Sequence, residues 1–173
     1  MPSRKSIRAD FHDYSGGDYF VTICTQNKEH FFGEIRNDKL EATEIARYCM
    51  RQFEDIPKHY SYASCPLVVI MPNHIHAVIT IDNREFVRRN PNVVNGRSAL
   101  SIVVGGVKRA VKVFALKNNI EFAWQGRYYD HIIRGTFDGN NIERYIDGNE
   151  VLWGANRFNP DKIDHDLKRN KDQ

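Results

Sequence analysis

The chain predicts an α+β fold, a ferredoxin-like antiparallel sheet with helices packed on one face. Three observations carry that expectation. Apolar, β-branched runs at residues 19–25, 67–71 and 75–81 read as strands. Residues 40–56 and 98–117 carry apolar side chains at helical spacing. The resulting order is strand, helix, strand, strand, helix, strand, helix, which suits an antiparallel sheet in the split arrangement. A doubly wound parallel sheet needs more regular alternation and ranks second. At 173 residues the chain is long enough for one core. One domain is expected over residues 1–160, with 161–173 as a charged, frayed tail.

The first strand, 19–25, is entered through Gly16-Gly17. Residues 31–35 form a short strand or part of a turn. In the helix over 40–56, Ile45, Cys49, Phe53 and Ile56 share one stripe, and Pro57 stops it. Pro72-Asn73 separates the next two strands by a tight turn or a bulge. Residues 82–97 are polar, basic and broken by Pro91 and Gly96, and read as a flexible loop. In the helix over 98–117, Val103, Val107, Ala110, Val111 and Phe114 form the buried stripe, away from Lys108, Arg109 and Lys112. Gly105-Gly106 is unfavourable inside a helix, by about 1 kcal/mol per glycine against alanine. It implies close approach of another backbone, a nucleic-acid strand among the candidates, or a later helix start. Residues 120–124 read as an edge strand, and 128–134 are short and ambiguous. Thr136 or Asp138 caps a third helix ending near Gly148.

Net charge is +3, but its distribution is uneven. Between Arg84 and Lys117 lie eight Lys/Arg and one acid, Glu85, so the rest of the chain is net acidic. A local basic stripe points to a polyanion, nucleic acid first, against the plainer reading of a solvated face. Cys24, Cys49 and Cys65 are odd in number and set in apolar sequence, as reduced core residues rather than a disulfide framework or zinc site. No apolar stretch follows the first residues, and the run at 67–71 is too short to span a bilayer. A cytoplasmic location and no membrane partner are expected.

The chemistry centres on Asn73-His74-Ile75-His76. On a strand, residues i and i+2 share a face, so both imidazoles project together while Ile75 points into a core. Two imidazoles on a rigid face can clip a metal, or be ordinary surface histidines. On the third helix Tyr145 and Asn149 are i and i+4, hence on one side. If that side meets the histidines, two imidazoles, an amide oxygen and a phenol suit phosphoryl transfer. The plainer reading packs Tyr145 at a helix–sheet interface and lets Asn149 end the helix. A free phenol, of pKa about 10, needs a metal or base to become nucleophilic.

These residues also carry a resemblance. Met71-Pro-Asn-His74-Ile-His76-Ala-Val-Ile, then Trp124-Gln125, Tyr128-Tyr129-Asp-His-Ile-Ile-Arg134, and Ile142-Glu-Arg-Tyr145-Ile resemble the REP-associated tyrosine transposases. Those belong to the insertion-sequence-200-type, single-tyrosine transposases of the HUH (His-hydrophobic-His) class. Tyr19-Phe-Val-Thr-Ile-Cys-Thr-Gln-Asn27, Glu29-His-Phe-Phe-Gly-Glu34 and Leu100-Ser-Ile-Val-Val-Gly-Gly-Val-Lys108 look like the family's first strand, its turn and its second helix. The likeness runs in order over residues 10 to 155. It implies a ferredoxin-like fold and a divalent metal, magnesium or manganese, on His74, His76 and Asn149. It implies Tyr145 as nucleophile on single-stranded DNA with hairpin-forming repeats, giving a 5′-phosphotyrosine and a free 3′-OH. A nucleoid-associated bacterial protein, possible as a homodimer, follows from it. One departure is visible: such proteins often read Tyr-Ile-x-x-Asn-Pro, whereas here Gly148 precedes and Glu150 follows Asn149.

Substrate grip is expected from Lys108, Arg109 and Lys112 on phosphates, and from Arg88, Arg89 and Arg97 on a hairpin stem. Trp124 and Arg127 join this DNA-binding set. Tyr128 and Tyr129 are rival nucleophiles, more naturally core or base-stacking residues. Two other classes stay open: a non-catalytic single-stranded DNA or RNA-binding module, and a metal hydrolase of small phosphoesters.

Overall fold

Strand β1 (Gly17–Cys24) lies inside a four-stranded antiparallel sheet ordered β4–β5–β1–β6, with β4 (Ala63–Met71), β5 (His74–Ile81) and β6 (Tyr129–Ile132). This computed structural model describes residues 17–90 and 98–155. A second, two-stranded sheet pairs β2 (Gly33–Arg36) with β3 (Lys39–Ala42). The helices are α1 (Glu44–Glu54), α2 (Ile56–His59), α3 (Asn83–Arg89), α4 (Ala99–Lys117) and α5 (Gly135–Asp147). The α+β, ferredoxin-like class follows from this order.

Strand alternation divides the central sheet into two different faces. Tyr19, Val21 and Ile23 of β1 and Ile75, Ala77 and Ile79 of β5 are fully buried, in one core with Ile45, Cys49 and Phe53 of α1 and Val103, Val104 and Val111 of α4. Each large apolar side chain in that layer contributes about 1.5–3 kcal/mol relative to exposure. The intervening residues, Phe20, Thr22 and Cys24 on β1 and His74 and His76 on β5, project to the other face. Tyr145 of α5 and Trp153 meet the histidines there.

Helix starts follow local chemistry. The hydroxyls of Thr43 and Ser98 and the Asp82 carboxylate each accept a backbone N–H three residues on, capping α1, α4 and α3.

Several expectations are corrected. Residues 39–42 are a strand, because Asn37 and Asp38 both adopt positive φ and close a hairpin with β2. Residues 83–89 of the expected loop are helical, capped by Asp82 and buried through Phe86. Helix α1 ends at Glu54, and Pro57 lies in the first turn of α2 rather than ending α1. No strand forms at 120–124, where Trp124 makes one isolated bridge to Thr25; the sheet edge is β6. α5 starts at Gly135, ahead of both expected caps. α4 begins at Ala99, and Gly106 lies against the Tyr60 ring, whose hydroxyl occupies the space of a Cβ. Gly105 faces open space. Arg97 and the tail at 161–173 lie outside the described residues.

Candidate active site

His74 and His76 are held by a two-residue turn, Pro72-Asn73, that starts β5 directly after β4. The turn is locked from outside. The Thr25 N–H donates to the Asn73 carbonyl at 2.9 Å, and Phe32 N–H to the Pro72 carbonyl at 3.0 Å. Both imidazoles are buried, 0% and 1% exposed, so the reading as ordinary surface histidines does not hold.

Each ring has a partner on Nδ1. His74 Nδ1 lies 2.9 Å from Asn73 Oδ1, and His76 Nδ1 lies 2.9 Å from Thr22 Oγ1. Thr22 and His76 are direct cross-strand partners. Asn73 Nδ2 donates to the Lys28 carbonyl at 3.1 Å. That bond orients the Asn73 amide, so its oxygen must face His74 and Nδ1 of that ring must carry the proton. The His74 Nε2 lone pair then points at His76 Nε2, 3.1 Å away. With Thr22 as acceptor, both lone pairs converge on one point, as a cation between them requires; with Thr22 as donor, His76 Nε2–H instead donates to His74 Nε2. A second partner on Nδ1 is how proteins orient a metal-ligating imidazole. The pair therefore fits a divalent ion. Among the described residues no third His, Cys, Asp or Glu completes a metal-binding cluster. Any further protein ligand would have to be of another type, such as an amide.

Tyr145 reaches this point from α5. Its Oη stands 3.4 Å from His76 Nε2, in the same chain, and its ring meets His76 edge-on at 5.2 Å. Phe20 stacks on the other side of His76 at 5.2 Å and meets Tyr145 edge-on at 6.2 Å. The imidazole is thus clamped while the phenol stays 43% exposed. Gly148 does not break the chain away: it stays right-handed helical, and its N–H donates to the Arg144 carbonyl. Asn149 stays buried, its amide nitrogen donating to the Tyr145 carbonyl at 2.9 Å. Glu150 accepts the Leu40 N–H at 3.2 Å, tying this turn to β3.

Three neighbours escape a reading of the sequence, Thr22, Phe20 and Trp153, and with them the orienting role of Asn73. Trp153 stacks on His74 at 6.0 Å and joins Cys24 and Met71 in a small apolar cluster behind the histidines. The His30 ring packs against Trp153 at 5.8 Å. Alternation of β1 was the available signal for Phe20 and Thr22.

The expected DNA-binding residues are dispersed. Helix α4 covers the face opposite the histidines. Lys108 Nζ donates to the Gln125 carbonyl at 2.7 Å, and Lys112 Nζ to that of Phe122. These two lysines clasp residues 122–125 to α4, and burial holds the Lys108 ammonium below the usual lysine range. The Trp124 indole is packed against Phe122 and Phe32, lies 5.7 Å from Lys108 Nζ and donates to the Lys108 carbonyl. Arg109 lines a cavity of about 430 Å³ between α1, α2 and α4. Arg88 and Arg89 both pair with Glu85, whose carboxyl they pull down to about 2. Arg127 is exposed on the segment leading into β6. Of the rival tyrosines, Tyr128 Oη is 3.1 Å from Ser101 Oγ, whereas Tyr129 is exposed and sits in one sheet row with Thr22 and His76.

No family model matches the chain. It is 35% identical over 161 residues to an "Uncharacterized protein" of Haemophilus influenzae (strain ATCC 51907 / DSM 11121 / KW20 / Rd), covering 87% of this chain and 89% of that one. The chain belongs to that protein's family. Among solved structures, the fold is shared with a REP-associated tyrosine transposase bound to a REP hairpin, at a TM-score of 0.56 and 19% identity, over 89% of this chain and 74% of that one. Among the described residues no helix is long and apolar enough to cross a membrane.

Proposed function

We propose that this protein is a single-tyrosine transposase of the HUH kind, a metal-dependent enzyme that cleaves and rejoins single-stranded DNA at hairpin-forming repeats. One observation carries the reading: the Tyr145 hydroxyl stands 3.4 Å from a buried imidazole pair whose Nε2 atoms face each other. The motif resemblance supports it, as does a fold shared with a REP-associated tyrosine transposase bound to a REP hairpin. Under this reading His74 and His76 hold a divalent ion, magnesium or manganese, with Asn149 as the proposed third ligand. When bound, that ion supplies charge neutralisation at a non-bridging phosphate oxygen. Thr22 and Asn73 keep the imidazoles turned inward, and Phe20 limits where the phenol can go. Tyr145 Oη forms a bond to phosphorus as the bond to the 3′-oxygen breaks. The phenol proton is lost, the departing 3′-oxygen takes one up, and a 5′-phosphotyrosine remains. Attack by the 3′-OH reverses the step without a nucleotide cofactor. Tyr145 and the histidines meet within one chain.

The test is incubation with single-stranded hairpin oligonucleotides and Mn²⁺ or Mg²⁺, with adducts resolved on denaturing gels. A covalent protein–DNA species is expected with the native chain and with Tyr129→Phe, but not with Tyr145→Phe. An adduct surviving in Tyr145→Phe refutes the assignment of the nucleophile. DNA binding without an adduct in any chain supports the non-catalytic binding module instead.

A further inference from the structure

Beside the histidine turn lies a cleft of about 650 Å³, lined by Gln26, Asn27, Lys28, Trp124, Gln125 and Gly126. We propose that this cleft is a subsite for one unpaired nucleobase of the substrate strand. The inference rests on the single-stranded-DNA reading above and adds where, and with what chemistry, a base is read.

Three side-chain amides face one cleft. Each offers a donor and an acceptor, the pair that reads the edge of a base. Gln26, Asn27 and Gln125 are exposed, and their side chains make no hydrogen bond among the described residues. By contrast, the Asn73 and Asn149 amides are engaged within the fold. Backbone bonds hold the cleft rigid without using these side chains: Gln26 N–H donates to the Ala123 carbonyl, and Gln125 N–H to that of Cys24, both at 2.9 Å. Asn27 and Lys28 both adopt left-handed backbone, φ 52° and 58°. Lys108 draws the 122–125 segment against α4 and adds positive charge near Trp124. The volume lies within the range of small-ligand sites, roughly 300–1,000 Å³.

The cleft is also mechanically joined to the histidines. Asn73 gives its amide nitrogen to the Lys28 carbonyl and its oxygen to His74 Nδ1. A base seated against residues 26–28 therefore bears on the same amide that orients His74. Recognition and alignment of the site share one residue.

The experiment uses the full chain carrying Tyr145→Phe, without divalent ion, and fluorescein-labelled dA, dC and dT 12-mers followed by anisotropy. A spread in Kd of roughly tenfold or more is expected among the three, the size of one base-edge pair. In Gln26→Ala/Gln125→Ala the spread should fall to within about twofold, because sequence-independent phosphate binding remains. Unchanged circular dichroism and Tm would show that the variant is folded. A native spread within about twofold, or one that persists in the double variant, overturns the subsite. As a second measurement, 5-iodouracil oligonucleotides should photocrosslink to the peptide containing Trp124; crosslinks confined to other peptides overturn it too. The two proposals fail separately. A Tyr145-dependent adduct with amide-independent base preference sinks the subsite alone. Amide-dependent base preference with no adduct in the native chain sinks the nuclease reading alone.

Discussion

Thr22→Val tests how the histidine pair is oriented. Valine keeps the shape and the strand preference, so the change removes one hydroxyl from a position only 4% exposed. That hydroxyl lies 2.9 Å from His76 Nδ1, itself in a ring 1% exposed, so no solvent can replace it without movement. An orphaned buried polar group costs about 1–3 kcal/mol. The Phe20 stack opposes ring rotation by about 0.5–1.5 kcal/mol and limits the reorientation. The net expectation is a loss of about 1–2 kcal/mol in stability, and about tenfold in metal affinity, at the lower end of what such partners contribute. Urea denaturation should show a lower midpoint with an unchanged m-value. Calorimetric titration with Mn²⁺ should give the weaker Kd, and adduct formation should recover within a few-fold at saturating metal. Thr22→Ser should restore both. If Thr22→Val binds Mn²⁺ within twofold of the native chain and loses no stability, the ring is held by Phe20 packing alone and the hydroxyl has no orienting role.

The two adjacent glycines of α4 should respond in opposite directions. Gly105→Ala should stabilise by about 0.5–1 kcal/mol, because the new methyl meets nothing. Gly106→Ala should destabilise by about 1–3 kcal/mol through collision with Tyr60, and Tyr60→Phe should recover part of it in urea melts. Glu85→Gln should free Arg88 and Arg89, tightening non-specific DNA binding and steepening its salt dependence by about 0.7 per new single-strand contact. The carboxyl of Glu85 is lowered when folded, so the stability it lends is present above about pH 4.3 and lost as pH falls through about 2. The thiol of Cys65 is pushed up by burial to about 12, and that of Cys49 is pushed up as well. Both should resist iodoacetamide at pH 8 in the folded chain and react in urea. The linked stability is full below the unfolded thiol value near 8.5 and falls as pH rises from there toward 12.

Legibility in the sequence followed the length and periodicity of each element. The core strands and α4 were readable because their apolar patterns are long and their ends carry caps or turns. Helix α3 was not, since it buries only Phe86 and its basic residues look like loop. Its Asp82-x-x-Glu85 start was the overlooked signal, with Asp82 accepting the Glu85 N–H. The β2–β3 hairpin was hidden because Leu40 fits a helical stripe as well as a strand; Asn37-Asp38 was the better clue. At the candidate site, the pairing of His74 with His76 follows from strand alternation, and the approach of Tyr145 was expected only through the resemblance. The pairing of Thr22 with His76 depends on register and the place of Trp153 on the path after α5, which no local pattern reveals. Among the described residues, charge adjacent in sequence is divided among an ion-paired helix, backbone clasps and a face remote from the histidines.

The parts of the site are far apart in the order of synthesis. Thr22 and the histidine turn are made early, whereas Tyr145 and Trp153 arrive after all four strands of the central sheet and both packing helices. Domains generally fold as they emerge, N-terminal parts first. A nascent chain therefore has its imidazole pair framed by β1 and β5 before the Tyr145 phenol can reach it. The proposed nucleophile is withheld until translation has passed Tyr145, so the proposed cleavage step has no attacking group for most of the chain's time on the ribosome.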